Sequence, residues 1–175
     1  EEVTEVFEDM IDRSVPGYKT SVNLVDYYSR QYSRDNSYVY DLGCSLGAST
    51  KALLDSVSHK NIKVISIDNS AAMIEKCNKL FNSYVDEGRL ELKLEDINIS
   101  EITNASVVVI NFVLQFLDRN KRTLLIEKIF KGMNPGGVLL ISEKVHFQSD
   151  RESKSIFLLH HLFKEMNGYT KMEIA

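Results

Sequence analysis

The chain has 175 residues and a formal net charge of −4 at pH 7; 43% of its residues are hydrophobic and 26% are charged. These values are typical of one soluble globular domain that buries its own core, and they exclude a disordered or fibrous chain. No apolar run approaches the roughly 20 residues of a membrane span, and we see no signal-peptide pattern. The sequence has no cluster of lysines and arginines that could bind nucleic-acid phosphates. We therefore expect no membrane partner and no direct, tight nucleic-acid binding.

The chain contains two cysteines, Cys44 and Cys77. They do not make a disulfide framework, so the expected compartment is the reducing cytoplasm. There is no Cys-x-x-Cys pair, and the adjacent His160 and His161 point to different faces of a predicted helix. We therefore expect no metal site.

Residues 1–34 are predicted to form two N-terminal helices. Apolar residues recur at helical spacing from Glu1 to about Ser14, a Pro-Gly pair then marks a turn, and a second helix is predicted over Lys19–Ser33. The first apolar stripe is typical of a core or interface face, and it leads us to expect a homodimer. Tyr18 lies at the turn, where its ring either closes over a pocket or is partly buried with its hydroxyl in water.

A turn bracketed by glycines follows the first predicted strand. Val39–Leu42 is β-branched and aromatic, Gly43 and Gly47 enclose the turn, and Ala48–Val57 has helical periodicity. This order is typical of a nucleotide-binding corner, because bare backbone lets a ligand approach and the helix N-terminus offers unpaired N–H groups. The Gly-x-x-x-Gly spacing is not that of a dinucleotide site, and a plain structural turn is the open alternative.

Strands and helices alternate along the rest of the chain. Four more strands are predicted at Ile62–Ile67, Leu90–Leu94, Ser106–Phe112 and Val138–Ser142, the second of these near an edge and the third central. Helices are predicted at Ala71–Val85 with Ser70 as its N-cap, at Asp118–Met133 with Asn134–Gly137 stopping it, and at Ser149–Asn167. Leu80 and Leu124 are among the residues expected to face the core.

This alternation predicts an α/β fold, a doubly wound and mostly parallel sheet with helices on both faces. We expect a single domain over residues 1–175. It comprises the N-terminal helices, a core over residues 37–145 and a C-terminal helix over residues 149–167.

Residues suited to an adenosine-bearing ligand follow four of the five predicted strands, at the edge where open α/β sheets bind ligands. They are Gly43, Cys44 and Ser45 after the first strand, Asp68 and Asn69 after the second, Asp96 and Ile97 after the third, and Asn111 at the end of the fourth. The argument rests on their joint occurrence in this order.

Each of these residues also has a plain structural interpretation. Asp68 lies about 20 residues past the last glycine, where a carboxylate accepts hydrogen bonds from both ribose hydroxyls, or it caps the next helix. Asp96 could accept a hydrogen bond from an exocyclic adenine amine while the Ile97 N–H donates to a ring nitrogen. Alternatively, the two residues form an ordinary turn. Asn111 either carries the amino-acid end of a ligand or satisfies loop backbone.

Two segments resemble class I S-adenosylmethionine-dependent methyltransferases. Asp41-Leu-Gly-Cys-Ser-Leu-Gly47 resembles the family's acidic-x-Gly-x-Gly-x-Gly motif, with Ser45 in place of the middle glycine. The segment Asn134–Glu143 resembles the turn and fifth strand of the same fold. The resemblance implies a Rossmann-like class I methyltransferase fold.

A narrower resemblance, to the carboxy-S-adenosyl-L-methionine synthase family, spans almost the whole chain. The segments that carry it are Arg13–Tyr18, Val39–Ser45, Ile67–Ser70, Asn111–Leu117, and Leu159–Lys164 followed by Asn167–Tyr169. It implies a transferase that converts S-adenosyl-L-methionine and prephenate to carboxy-S-adenosyl-L-methionine and phenylpyruvate. A deprotonated sulfonium methyl captures the carboxyl group that prephenate loses, and a tRNA carboxymethyltransferase then uses the product on a hydroxylated wobble uridine.

Carried over by position, the family's contacts with the adenosyl substrate or product fall on Tyr18, Gly43, Cys44, Ser45, Asp68, Asn69, Asp96, Ile97 and Asn111. No catalytic residue is assigned, and Glu143 and Lys144 remain possible site residues. Members of the family continue past the end of this chain. The additional part holds the last strands of a seven-stranded sheet and an arginine that binds the added carboxylate. We therefore expect the C-terminal strands to be missing. Two alternatives stay open: an ordinary methyltransferase acting on a small molecule or tRNA, and a catalytically silent adenosyl-binding module.

Overall fold

The computed structural model describes residues 10–58 and 61–174, and residues 10–14 form the helix α1. The helices that follow are α2 (Tyr18–Tyr32), α3 (Ala48–Ser56), α4 (Ala71–Leu80), α5 (Asn82–Asp86), α6 (Arg119–Gly132), α7 (Asp150–Met166) and α8 (Lys171–Ile174). The strands are β1 (Tyr38–Leu42), β2 (Lys63–Asp68), β3 (Leu90–Leu94), β4 (Ala105–Asn111) and β5 (Met133–Ser142). Most of the predicted N-terminal apolar stripe lies outside the described residues.

The strands form one parallel sheet in the order β3-β2-β1-β4-β5. Strands β1 to β3 step outward in one direction, and β4 then pairs with the other side of β1, so the strand order reverses between β1 and β4. Because all strands are parallel, their carboxyl ends share one edge of the sheet. The predicted α/β fold is confirmed, with β3 at an edge and β4 in the interior.

Both faces of the sheet are buried. The α3-side core contains Val39, Val107 and Val109 from the sheet, together with residues of α2, α3 and α4. The α6-side core contains Tyr40, Val108 and Ile110 from the sheet, together with residues of α6. Successive strand residues thus enter opposite cores, as the two-residue period of a pleated strand requires. Each fully buried valine contributes roughly 1.5–3 kcal/mol, which explains why these strands are apolar throughout.

The helix predicted over Ala71–Val85 is broken at Phe81. The Phe81 N–H closes α4 by donating to the Cys77 carbonyl at 2.9 Å, and α5 starts at the next residue. The Phe81 ring is buried in the α3-side core. Leu80, which was predicted to face inward, is 54% exposed, so that part of the prediction is wrong.

The boundary between α6 and β5 also differs from the prediction. Strand β5 starts at Met133, directly after α6, and the Asn134–Gly137 segment that was expected to separate them lies inside the strand. The β4–β5 register is irregular there, shifting from the pair Ala105–Met133 to the pair Val107–Val138. The segment therefore bulges from the ladder, as extra residues in one strand do.

Within α6 the predicted apolar stripe is only partly buried. Leu125 and Ile129 are buried in the α6-side core, whereas Leu124 is 62% exposed. The expectation for Leu124 is therefore wrong, because the side of α6 that faces the sheet is narrower than the sequence pattern suggests.

The described residues fall into two units. The larger runs from Ser21 to Glu143 and holds the whole sheet; the smaller comprises the described residues up to Thr20 and from Lys144 onward. In the smaller unit the Arg13 Nε donates to the Asn167 carbonyl at 2.7 Å, and the guanidinium lies 4.4 Å from the centre of the Tyr169 ring. No helix in the described ranges has the length and apolar character that crossing a membrane requires.

Candidate functional site

The candidate site lies in the larger unit, at the carboxyl edge of the sheet where the strand order reverses. Ligands of open α/β sheets bind at this position. Asp68 and Asn111 are the last residues of β2 and β4, and the glycine turn directly follows β1. The predicted polar residues from these three strands therefore share one edge.

Asp68 holds two segments of this edge together. Its Oδ2 accepts the Ser45 N–H at 2.9 Å, and its Oδ1 accepts the Ser70 N–H at 2.9 Å. The carboxylate thus binds both the glycine turn and the start of α4. A carboxylate has about four acceptor positions, so two remain for hydroxyl donors such as those of a ribose. Ser70 occupies the N-cap position as predicted, but its side chain makes no capping hydrogen bond.

Protein side chains fill the space beside the two glycines of the turn. Gly43 has φ +82° and a Cβ there would lie 2.4 Å from the Val113 Cγ2; Gly47 has φ +83° and a Cβ there would lie 2.4 Å from the Phe81 Cε2. Both positions require glycine, because the left-handed backbone disfavours side chains and no room exists for one. Packing against Val113 and Phe81 therefore explains both glycines without a ligand, and their contact with a ligand stays a prediction.

The backbone donors of the turn are engaged within the protein. Gly43 and Cys44 donate their N–H groups to the Ile67 carbonyl at 2.8 and 3.0 Å. Cys44 is buried, and the Cys77 thiol donates to the Ser45 carbonyl at 3.2 Å. A hydrogen bond with Cys77, together with burial, raises the pKa of the Cys44 thiol. A raised pKa favours the neutral thiol, which is the less nucleophilic form.

Asp41 is a buried carboxyl beside the turn that the sequence analysis noted only as the first residue of a motif. Its Oδ2 accepts the Thr50 hydroxyl at 2.7 Å, and the Thr50 and Ser66 hydroxyls lie 2.7 Å apart. Burial raises the pKa of Asp41 to about 6, opposed by hydrogen bonds from the side chain and backbone N–H of Thr50. The N-cap residue Gly47 makes no side-chain cap. The Asp41 carboxyl, in β1, accepts hydrogen bonds from Thr50 in the first turn of α3 and therefore caps this helix.

Asn111 has one end of its amide bound and the other end unpaired. The Nδ2 donates to the Ser49 Oγ at 2.8 Å. The Oδ1 is buried and has no hydrogen-bond partner among the described residues. A buried acceptor without a donor costs about 1–3 kcal/mol. The unpaired oxygen therefore fits a ligand that brings a donor, such as the amino-acid end of an adenosyl compound.

Asp96 and Ile97 form a structured turn after β3. Asp96 is exposed, and its Oδ1 accepts the backbone N–H of Asn98 at 2.8 Å and the Asn98 side-chain amide at 2.7 Å. The Asn98 N–H is the main reason that the pKa of Asp96 lies below its usual value. The Ile97 side chain is buried in the α6-side core, and its carbonyl accepts the Lys128 Nζ. Asp96 and Ile97 thus form a turn, as the structural alternative predicted, and their contact with adenine stays a prediction.

The roles of two further predicted site residues are untested. Asn69 is exposed directly after β2, and Tyr18 is the first residue of α2 and belongs to the smaller unit. Their contacts with a ligand stay predictions.

Glu143, directly after β5, supports the turn that follows β4. Its Oε1 accepts the Leu114 N–H at 2.5 Å. The neighbouring Val113 is the residue that fills the space beside Gly43. Glu143 therefore holds one wall of the glycine turn, a role that sequence spacing does not reveal because both contacts are long-range.

A further cavity lies at the opposite, amino edge of the sheet. Its volume is about 710 Å³, and residues 99–104 and the second half of α6 line it. Lys128, the best placed cation there, already donates its Nζ to the carbonyls of Ile97 and Ser100. Within residues 10–58 and 61–174, no group of three or more His, Cys, Asp or Glu side chains is arranged to hold a metal ion.

The fold is that of known methyltransferases. A family model described as a methyltransferase domain matches residues 40–139. The plantazolicin methyltransferase BpumL, solved in complex with SAH, superposes with a TM-score of 0.64 at 17% identity, over 97% of this chain and 59% of that one. Coclaurine N-methyltransferase, solved with N-methylheliamine and SAH, superposes with a TM-score of 0.56 at 24% identity, over 70% of this chain and 36% of that one.

Sequence relatives narrow the family. The chain is 44% identical to the carboxy-S-adenosyl-L-methionine synthase of Enterobacter sp. (strain 638) and 45% identical to that of Citrobacter koseri. Both matches cover all 175 residues and 71% of the relative. The chain has the methyltransferase fold and belongs to the carboxy-S-adenosyl-L-methionine synthase family.

Proposed function

We propose that this protein is a transferase that makes carboxy-S-adenosyl-L-methionine from S-adenosyl-L-methionine and prephenate. The observation that carries the proposal is the identity of 44% over the full chain to relatives of that name. It extends through the candidate site, so the polar edge of the sheet is part of the match.

The geometry of that edge supports an adenosyl ligand. Asp68 has acceptor positions left for the ribose hydroxyls, and Asn111 has an unpaired buried oxygen for the amino-acid end. Asp96 and Ile97 are the proposed adenine contacts. Tyr18, Gly43, Cys44, Ser45 and Asn69 complete the proposed ligand-contacting set. S-adenosyl-L-methionine would enter as substrate, and the carboxylated product would leave the same site.

The proposed reaction balances without a metal. The sulfonium methyl of S-adenosyl-L-methionine loses a proton, and the resulting carbon nucleophile forms a bond to the carboxyl carbon that prephenate releases. Prephenate also loses its ring hydroxyl, which leaves with a proton as water, and phenylpyruvate remains. We assign no residue of the chain to the proton transfer.

Mass spectrometry of the adenosyl product tests this proposal. The protein is incubated with S-adenosyl-L-methionine, with and without prephenate. We expect a product heavier by one carboxyl group that forms only when prephenate is present. S-adenosylhomocysteine with a methylated acceptor would instead identify an ordinary methyltransferase, the activity named for the structural neighbours. Binding of the adenosyl ligand with neither product would identify a silent binding module.

We further propose that the protein acts in the cytoplasm as a homodimer and supplies its product to a tRNA carboxymethyltransferase. The net charge of −4 is consistent with a protein that hands over a small molecule and does not itself hold tRNA. Exposed apolar side chains on α7 are consistent with a second copy as partner. Deleting the gene should remove the carboxymethylated wobble uridine from tRNA hydrolysates, and its persistence would contradict this role.

A further inference from the structure

The unequal hydrogen bonding of the Asn111 amide defines which end of the side chain is free. Its nitrogen donates to the Ser49 hydroxyl at 2.8 Å, while its oxygen is buried and has no partner among the described residues. Buried polar groups in native proteins are nearly always hydrogen-bonded, so an unpaired oxygen at a ligand edge needs an explanation.

Ser49 contacts the nitrogen end of this amide. It is the second residue of α3 and is only 7% exposed, so its hydroxyl is fixed beside the end of β4. The Nδ2 donates one N–H to the Ser49 hydroxyl, and the oxygen lies at the other end of the amide without a partner among the described residues. The contact with Ser49 therefore holds the amide with its oxygen free.

We propose that Ser49 is a positioning residue, which holds the Asn111 amide so that Oδ1 accepts a hydrogen bond from the ammonium of the ligand's amino-acid part. The inference rests on the proposed function and deepens it. An ammonium carries three donors and no acceptor, so it matches a free carbonyl oxygen, whereas the ligand's carboxylate would be repelled by it. The oxygen is buried, so the proposal requires that a neighbouring side chain moves when the ammonium binds.

Calorimetric titration with two ligands tests the inference. S-adenosylhomocysteine carries the amino-acid part, and 5′-methylthioadenosine lacks it. We expect Ser49→Ala to weaken binding of S-adenosylhomocysteine about tenfold, which corresponds to about 1.4 kcal/mol, and to leave the affinity for 5′-methylthioadenosine unchanged. Ser49→Thr keeps the hydroxyl and should restore the affinity for S-adenosylhomocysteine. If Ser49→Ala does not fold, Ser49→Cys, which fills the same space with a weak hydrogen-bonding group, replaces it.

Three outcomes would overturn the inference. Equal losses for both ligands would show that Ser49 only supports the turn, and no loss for either would show that its contact is irrelevant to binding. A third ligand, decarboxylated S-adenosylhomocysteine, keeps the amine alone. If its affinity were insensitive to Ser49→Ala, the amide would face the carboxylate and not the ammonium. A wild-type protein that binds none of these ligands would contradict the proposed function as well, which separates the two failures.

Discussion

Asp41 is a single carboxyl whose burial makes stability depend on pH. Its pKa is raised from 3.8 to about 6 in the folded chain, mainly by burial. The folded state therefore takes up a proton at a higher pH than the unfolded state does. Stability contributed by this group is highest below about pH 4, falls as pH rises to about 6, and stays low above that.

We expect Asp41→Asn to remove this pH dependence. The free energy of unfolding of wild type, relative to the variant, should fall by about 2–3 kcal/mol between pH 4 and pH 7, since one pKa unit corresponds to about 1.4 kcal/mol. Urea denaturation of both proteins at several pH values measures it. Asp86→Asn, at an exposed position, is the control. A difference between wild type and Asp41→Asn that stays constant with pH would contradict the argument.

Asp68 should be the most sensitive residue for ligand affinity. Hydrogen bonds to a charged group are each worth about 1.5–3 kcal/mol, so loss of the proposed ribose contacts in Asp68→Ala should abolish measurable binding of S-adenosylhomocysteine. Calorimetry measures the affinity, and the exposed Asp86→Ala serves as the matched control. Unchanged affinity would place the ligand elsewhere.

The positions of the candidate site residues were predictable where a residue lies at the end of a strand. Asp68 and Asn111 were identified because each ends a strand, and their exact partners were not. Asp41, Ser49 and Glu143 were missed as positioning groups because their roles depend on contacts with Thr50, Asn111 and Leu114 that exist only after folding.

The glycine turn illustrates a constraint at the scale of elements. Gly47 has no room for a side chain because the Phe81 ring lies beside it, and that ring is placed by the break between α4 and α5. Gly88 has a similar left-handed backbone, φ +71°, with nothing within 4 Å of a Cβ. The two positions therefore differ in packing and not in backbone conformation.

We expect Gly47→Ala to be more destabilising than Gly88→Ala. Left-handed strain alone costs about 1–2 kcal/mol, which is the expected effect at Gly88. The overlap with Phe81 should add about 1–3 kcal/mol at Gly47. Chemical denaturation of both variants gives the comparison, and equal losses would show that the turn yields easily to an added methyl group.

Elements with strong apolar runs were predicted within one or two residues, whereas two boundaries decided by packing were not. Strand β3 was placed at its observed bounds, and β1, β2 and β4 within one residue. The break at Phe81 was missed because the apolar helical pattern continues across it from Cys77 to Tyr84. The start of β5 was missed because Met133 pairs with Ala105, which is distant in sequence, and the register shifts after this pair.

For the whole molecule, the alternation of elements predicted a parallel sheet but not the order of its strands. The order depends on which side of β1 the fourth strand joins, and the alternation of elements does not specify that side. The structure places β4 beside β1, and this reversal creates the edge that carries the candidate site.

The proposed homodimer leads to a prediction on assembly. Leu158 and Leu162, one turn apart on α7, are each more than half exposed, and neighbouring exposed apolar side chains are typical of an interaction surface. We expect a dimer in sedimentation velocity at micromolar concentration, and a monomer for the double variant Leu158→Glu/Leu162→Glu. Leu80→Glu, at a comparably exposed leucine of α4, should leave the dimer intact. A monomeric wild type would refute the proposal.

The cap that Asp41 provides has a consequence for motion in the protein. Helix α3 has nine residues, too few to persist alone in water, and its first turn is fixed by a carboxyl that belongs to the central strand. Its amide protons should therefore exchange with solvent only when β1 itself opens, in one cooperative step, and not by fraying from the helix end. The glycine turn and the start of α3 should thus open only together with the middle of the sheet.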